Sequence, residues 1–307
     1  MYSGAKVYND GSHFIAIPYM SKPKKVRKIY KKIPSDLFEL MRDKEIEQRE
    51  EQEKQAAKQA YEELKDCKGQ ERIDKAVAKL KEKCIPVDKA KELVEDVKAK
   101  RDRQITEKKK RFFRKAMLND FNYFVTFTYD DKKHTEASFK KGLIERLSRL
   151  TKDNGWKYAG VWEISPNERL HFHCFIYVPE GKMVGTVETR KDYSTKTHRM
   201  QEYIINTYFE KAFGRNDFRS LERHPMLYDA AIKYILKYIT KTNERIVYSK
   251  NLPMYLISDI NEEDELCRMG VDDRKILLPD DFECWDEGEY LGRMCNEVKS
   301  KMRTTSH

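Results

Sequence analysis

The sequence has 307 residues, of which 62 are Lys or Arg and 52 are Asp or Glu, and its formal net charge at pH 7 is +10. This length is enough for one large domain or two modest ones, and the positive charge suits a polyanionic partner such as nucleic acid. No window approaches the roughly 18 apolar residues of a membrane span, and no signal peptide is evident. We therefore expect a protein that works in the cytoplasm without a membrane partner.

The first 118 residues combine a mixed segment with a long charged region. Residues 1–34 are basic and contain one candidate strand at 14–17. Residues 35–118 are rich in Glu, Lys, Gln and Ala and predict about three helices, divided at Lys68-Gly69 and at Pro86. Their thin apolar stripe indicates a helical hairpin or a short coiled coil, through which the chain could oligomerise.

The last of these helices ends in a basic run at 108–115. A run of this kind is commonly a solvated helix face. It could also contact the DNA backbone at the entrance to the next domain, through Lys110, Arg111 and Arg114. The sequence leaves both interpretations open.

Residues 119–250 change character, because aromatic and β-branched residues alternate there in short runs. The predicted elements are a strand at 123–129, a helix at 135–152, strands at 158–164 and 170–178, and helices at about 200–213 and 226–242. The second and third strands are predicted to form a hairpin. Residues 251–307 are acidic through the middle and could be a small subdomain or a partly disordered tail. This pattern predicts an α+β fold with a central antiparallel sheet flanked by helices.

The strand at 170–178 carries two histidines. Successive side chains of a strand point to opposite faces, so His171 and His173 share one face while Phe172 points to the other. Two imidazoles at this spacing can reach one divalent ion, but histidines of a core or a surface show the same pattern. The sequence pattern His-x-His is therefore a weak signal alone.

A carboxylate on the preceding strand strengthens the signal. Glu163 lies across the predicted turn from His171, and antiparallel pairing can place it beside the histidines. A carboxylate in an otherwise apolar strand is costly unless it is paired or coordinated, so Glu163 is a candidate third ligand. An ion pair with Arg169 is the alternative. Two nitrogens and one oxygen suit Mg²⁺ or Mn²⁺ acting on a phosphodiester.

The helix at 226–242 carries two tyrosines. Tyr234 and Tyr238 are four residues apart, so both rings lie on one face. Lys237 lies on the same side, and Lys233 and Lys241 extend a cationic edge that could contact DNA. Tyrosine has a pKa of about 10 in model peptides, and a nearby ammonium and a metal-polarised phosphate would favour attack by its phenolate. The alternative is an aromatic stripe that packs against the sheet.

Together these residues resemble the three motifs of the HUH endonucleases, which initiate rolling-circle replication. The first motif of that family is a strand like 124–129. The second is similar to His171-Phe172-His173, often with an acidic ligand such as Glu163. The third is a Tyr-x-x-Lys helix, which Tyr234 to Lys237 match. The resemblance covers about residues 119–245 and implies an RRM-like nuclease core over 119–250.

The second tyrosine, Tyr238, is similar to that of the two-tyrosine replication initiators of microviruses and gokushoviruses, which implies a bacterial host cell. A phage, a plasmid or a transposon could carry such a gene. The resemblance implies that Tyr234 attacks single-stranded or extruded origin DNA and leaves a 5′-phosphotyrosine and a free 3′-OH, which a host polymerase extends. Lys237 would position or neutralise the phosphate, Tyr238 would rejoin the displaced strand, and a separate helicase would unwind the duplex.

Two other functions remain open. A two-tyrosine transposase or a relaxase would share this chemistry, although relaxases generally use three histidines. A non-catalytic protein that binds single-stranded nucleic acid on an RRM-like sheet would instead stack bases on Phe124, Trp162, Phe172 and Phe175. Such a protein has no need of a carboxylate, two histidines and paired tyrosines together, so the nuclease interpretation is preferred.

Overall fold

The structure is a computed structural model. It describes residues 2–19, 37–64, 66–165, 169–194, 198–221, 225–241, 245–260, 267–269 and 275–305. The chain divides into two compact units: Ser21–Glu107, and Met1–Met20 together with Lys108–His307. Within the described part of the chain, none of the helices combines the length and the apolar character that a membrane span requires.

Helices and antiparallel strands are both abundant, which confirms the predicted α+β class. The helices are α1 (Leu37–Glu63), α2 (Gly69–Glu82), α3 (Val87–Leu118), α4 (Glu136–Asn154), α5 (Thr207–Phe213), α6 (Pro225–Lys241) and α7 (Asn296–Lys301). The strands are β1 (Tyr2–Asn9), β2 (Phe14–Ile17), β3 (Tyr123–Thr128), β4 (Lys157–Ile164), β5 (Leu170–Tyr177), β6 (Val187–Ser194), β7 (Arg199–Asn206), β8 (Asn216–Ser220), β9 (Val247–Tyr248), β10 (Tyr255–Ile260), β11 (Cys267–Met269), β12 (Lys275–Leu278), β13 (Glu283–Asp286), β14 (Glu289–Arg293) and β15 (Thr304–Thr305).

The unit Ser21–Glu107 is helical, as predicted. Its helices break at Lys68-Gly69 and at Pro86, because Lys68 caps α2 in an extended conformation and proline favours a helix start. Small and aliphatic side chains form its core: Ala57, Ala60, Ile73, Ala76, Leu80, Ala90 and Val94. Charged side chains cover the remaining surface, which matches the thin apolar stripe of the sequence.

The second unit contains a five-stranded antiparallel sheet in the order β8-β3-β5-β4-β9. The predicted strands at 123–129, 158–164 and 170–178 are confirmed within one residue at each end. The predicted hairpin is also confirmed, since β4 and β5 pair directly. In its register Glu163 lies opposite His171, and β3 places Thr126 opposite His173 and Thr128 opposite His171.

The two faces of this sheet carry separate cores. On one face α4 buries Phe139, Leu143, Leu147 and Leu150 against Trp162 and Phe172, which confirms the predicted amphipathic helix. On the other face α6 packs Ile232, Ile235 and Ile239 against Ala159, Val161 and Phe175. Alternation along the strands therefore sends the histidines and Glu163 to the α6 face, as the sequence predicts.

A larger antiparallel sheet joins the two ends of the chain. Its order is β11-β12-β2-β1-β10-β13-β14, with β15 on β10, so residues 2–17 pair with residues 255–305. The predicted strand at 14–17 is confirmed. The division into separate segments 1–34 and 251–307 does not anticipate this pairing, since it joins partners that are distant in sequence.

The predicted helix at about 200–213 is wrong in its first half. Residues 199–206 form β7, which pairs with β6 along its whole length, and only 207–213 are helical. Tyr203, Ile204 and Ile205 favour a strand once a partner strand is available. Asn206 then caps α5, because its side chain accepts hydrogen bonds from the backbone N–H groups of Tyr208 and Phe209.

Close contact between β4 and β5 requires glycine at position 160. A Cβ atom there would lie 2.5 Å from Cβ of Cys174, 2.6 Å from Cζ of Phe172 and 2.7 Å from the carbonyl oxygen of His173. Gly160→Ala is therefore expected to lower the free energy of unfolding by about 1–3 kcal/mol, the usual cost of overpacking. Urea denaturation measures this change.

Gly142→Ala is the matched control. Its added Cβ atom would lie 3.2 Å from the Phe213 ring, on a helix that favours alanine over glycine. We expect a change below about 1 kcal/mol there. Equal unfolding midpoints for the two variants would show that the β4–β5 contact tolerates a methyl group.

Candidate active site

The α6 face of the sheet carries a polar row in an otherwise apolar surface. Nε2 of His173 lies 2.7 Å from Oε2 of Glu163, and both side chains are buried. Nδ1 of His173 lies 3.0 Å from the Thr126 hydroxyl, and Nδ1 of His171 lies 2.8 Å from the Thr128 hydroxyl. Both rings are therefore held at Nδ1 by a neighbouring strand, which leaves Nε2 as the nitrogen that can coordinate an ion.

Both tyrosines of α6 reach this row. The Tyr238 ring lies parallel to the His173 ring, with 5.4 Å between centroids and 15° between planes. The Tyr234 ring meets the same imidazole edge to face at 5.2 Å, and the two tyrosine centroids are 4.9 Å apart. A helix that packs across the sheet with its tyrosines one turn apart thus places both phenols beside His173.

The two tyrosines differ in their surroundings. Tyr238 is 7% exposed, whereas Tyr234 is 40% exposed. Burial, followed by hydrogen bonding to Tyr234 and to Glu163, raises the pKa of Tyr238 well above its usual value. Tyr238 is therefore firmly protonated at neutral pH, and Tyr234 is the more accessible phenol.

The histidines are set up as neutral bases. Burial lowers the pKa of His173, and burial together with the neighbouring His173 lowers the pKa of His171. Neutral imidazole is the form that binds a metal ion.

These five side chains line one open pocket of about 390 Å³. The structure therefore brings together Glu163, His171, His173, Tyr234 and Tyr238, as the sequence predicts. Glu163 contacts His173, whereas Arg169 pairs with Asp131 at 2.7 Å. The alternative ion pair between Glu163 and Arg169 is therefore wrong.

The fit to a metal ion depends on one hydrogen bond. Among the described residues, no group of three or more His, Cys, Asp or Glu side chains is arranged to hold a metal ion. Glu163 and His173 instead share a proton across their 2.7 Å contact. Since this proton lies between a carboxylate oxygen and an imidazole nitrogen, a divalent cation could replace it. The donor set fits Mg²⁺ or Mn²⁺ once that exchange occurs.

The predicted DNA-binding residues and Lys237 lie outside this pocket lining. Lys237 and Lys110 are exposed, and Lys233 is exposed with an ion pair to Asp229 at 2.6 Å. Arg114 stacks on the rings of Tyr8 and Tyr255, so its guanidinium is held within its own unit. The side chain of Lys241 lies outside the described residues.

The sheet does not offer the predicted stacking surface for bases. Trp162, Phe172 and Phe175 are buried in the two cores, and Phe124 packs against Tyr234 and His173. The observation that favoured a non-catalytic RRM-like binder is therefore absent from these four residues.

Sequence reasoning missed several residues of the pocket. Thr126 and Thr128 were visible as alternate polar positions in an apolar strand, which is the signal that could have found them. The other missed side chains come from β7 and from β8 and the residue before it, which were not predicted as strands: Tyr203, Arg215, Asn216 and Asp217. Arg215 stacks on the Tyr203 ring at 4.7 Å and pairs with Asp192 at 3.1 Å.

A second cationic feature includes Arg111. A pocket of about 550 Å³ is lined by Lys108, Arg111 and Arg245, and its described lining contains no carboxylate. Three cations around one cavity suit a phosphate backbone. The hydroxyl of Tyr248, which also lines this pocket, is buried and has no hydrogen-bond partner among the described residues.

We expect the variant Arg111→Ala/Arg245→Ala to bind single-stranded DNA more weakly at low salt. Each lost phosphate contact lowers the slope of log K against log salt by about 0.7 for single strands. Fluorescence anisotropy across a salt series measures that slope. Arg149→Ala, an exposed arginine on α4, should keep the wild-type slope, and an equal slope in all three proteins would contradict the prediction.

The geometry can now be set beside known proteins. Residues 122–243 match the model of a family of replication-associated proteins, the ORF2 family. The match covers less than half of the chain and includes all five residues of the pocket. It indicates a replication-associated domain and supports a replication initiator that acts on DNA. No curated protein and no solved structure matches the chain.

Proposed function

We propose that residues 119–250 form an HUH-type nuclease that nicks and rejoins single-stranded origin DNA in rolling-circle replication. One observation carries the proposal: two tyrosines on one helix meet a Glu–His–His set on a sheet inside a single open pocket. The match to replication-associated proteins supports replication over the transposase and relaxase alternatives, which would use the same chemistry.

The reaction exchanges one phosphoester for another. The phenolic oxygen of Tyr234 attacks the scissile phosphorus, and the bond from phosphorus to the 3′ oxygen breaks. The tyrosine proton leaves to solvent or a nearby base, and the 3′ oxygen departs as a hydroxyl. The products are a 5′-phosphotyrosine and a primer for a host polymerase, while a host helicase unwinds the duplex. No nucleotide is consumed, because the number of phosphoester bonds stays constant.

The pocket residues divide the work. Glu163, His171 and His173 would hold Mg²⁺ or Mn²⁺, which supplies positive charge to polarise the scissile phosphate. Thr126 and Thr128 fix the two imidazoles from behind.

Exposure assigns the tyrosine roles. Tyr234 takes the first attack, because it is the more accessible and its hydroxyl can reach an entering strand. Tyr238 rejoins the strand in the reverse reaction, after its hydrogen bond to Glu163 is released. Lys237 neutralises phosphate charge from the exposed side of α6.

The test is direct. The full chain is incubated with a single-stranded oligonucleotide pool of randomised sequence and Mn²⁺, then separated under denaturing conditions. We expect a protein–DNA adduct that survives denaturation, with the DNA linked to a tyrosine by mass spectrometry. A chain that binds the pool tightly yet forms no adduct in Mn²⁺ or Mg²⁺ would contradict the proposal.

A further inference from the structure

A second pocket adjoins the proposed active site on α6. Its volume is about 360 Å³, and it shares Thr126, Asp217 and Tyr234 with the first pocket. We call it the side pocket; its other lining side chains used below are Phe124, Arg219 and Leu227. A strand whose phosphate lies at Tyr234 would therefore place a neighbouring nucleotide within reach of the side pocket.

The register of the sheet forms its floor. On the edge strand β8, Asp217 lies opposite Thr126 and Arg219 lies opposite Phe124. Directly opposite residues of an antiparallel pair share a face, so these side chains stand on the same face as the histidines. The α6 helix supplies the other wall, through Leu227 and Tyr234.

The floor offers both apolar and polar recognition. The half-buried Phe124 ring meets Tyr234 edge to face at 5.9 Å, and Leu227 is 54% exposed at the rim. An aromatic ring beside an exposed aliphatic side chain suits a flat base, because every base presents a π-face.

The polar pair at the edge is oriented by its own contact. Nε of Arg219 donates to Oδ2 of Asp217 at 2.8 Å, while 68% of the Arg219 side chain stays exposed. That contact fixes the guanidinium plane, and its two terminal amino groups remain donors for a ligand. The Asp217 carboxylate repels a phosphate group, so this pair favours a base edge over the DNA backbone.

We propose that the side pocket binds the base of a nucleotide next to the scissile phosphate and that Arg219 selects guanine there. Guanine presents two acceptors, O6 and N7, which match the arginine fork. This proposal rests on the proposed nuclease function and adds its sequence specificity. Arg219 is a specificity residue, and the chemistry stays with Tyr234.

The experiment uses the randomised single-stranded pool with the full chain and Mn²⁺. Covalent adducts are isolated, and the attached and released strands are sequenced to locate the nick. We expect one position beside the nick to favour guanine by about 10-fold or more in the wild type. In Arg219→Ala, adducts should spread evenly over the four bases at that position, while other positions keep their preference.

Two further variants separate the explanations. Arg149→Ala, an exposed arginine on α4 across the sheet, should keep the wild-type guanine preference. Leu227→Ala should raise the KM for the preferred sequence without changing the preferred base. An unchanged preference in Arg219→Ala overturns the inference, and so does an equal loss of adducts on all sequences, which would make Arg219 a backbone contact. A wild-type chain that forms no adduct refutes the proposed function itself.

Discussion

Tyr234→Phe is expected to abolish covalent attachment of DNA. The substitution removes only the phenolic oxygen, so the ring contacts to His173 and Phe124 persist and the fold should remain intact. Loss of a nucleophile reduces the rate by on the order of 10⁴-fold or more. The initial rate of adduct formation on single-stranded DNA in Mn²⁺, measured on denaturing gels, gives this ratio.

Two tyrosine variants serve as controls. Tyr238→Phe should still form the first adduct but release less rejoined circular product, because the second nucleophile is missing. Tyr290→Phe, on β14 of the other sheet, should behave as wild type. If Tyr238→Phe loses the first adduct while Tyr234→Phe retains it, the roles of the two tyrosines are reversed.

The second large effect is expected from Glu163→Gln. The amide keeps the shape of the carboxylate and can still bond His173, but it loses the negative charge that a divalent ion requires. We expect adduct formation to fall by on the order of 100-fold or more. Mn²⁺ should also stabilise the wild type, by about 2.7 kcal/mol when its concentration is 100 times its Kd, and much less the variant.

Thermal unfolding with and without Mn²⁺ separates metal binding from catalysis. Glu145→Gln is the matched control, since Glu145 is exposed on α4 on the opposite face of the sheet. It should retain both the metal-dependent shift in Tm and the activity. Equal Mn²⁺ shifts in Glu163→Gln and the wild type would exclude Glu163 as a ligand.

The sequence predicts the central elements of the site because their signals are local. Alternation on β5 places His171 and His173 on one face, and the four-residue spacing places Tyr234 and Tyr238 on another single face. The direct bond between Glu163 and His173 is not predictable at this level, since it depends on strand register and side-chain rotamers. The side chains from β7 and β8 were missed for a related reason, because those strands exist only through pairing with distant partners.

Helix and strand signals also compete around residue 200. The segment 199–213 contains charged residues at helical spacing together with a β-favouring Tyr203-Ile204-Ile205 core. Pairing with β6 decides in favour of a strand as far as Asn206, where the cap of α5 begins. The contrast with α4 is instructive, since its four buried apolar residues allow only one arrangement.

The larger sheet constrains the order in which the chain can fold during synthesis. β1 lies between β2 and β10, and β2 lies between β1 and β12. The β1–β2 hairpin therefore leaves the ribosome with both outer edges unpaired, and its partners emerge only after the whole nuclease segment has been translated. Exposed strand edges invite association with other chains. We therefore expect nascent chains halted before residue 255 to bind chaperones or aggregate, even though the five-stranded sheet has already been made.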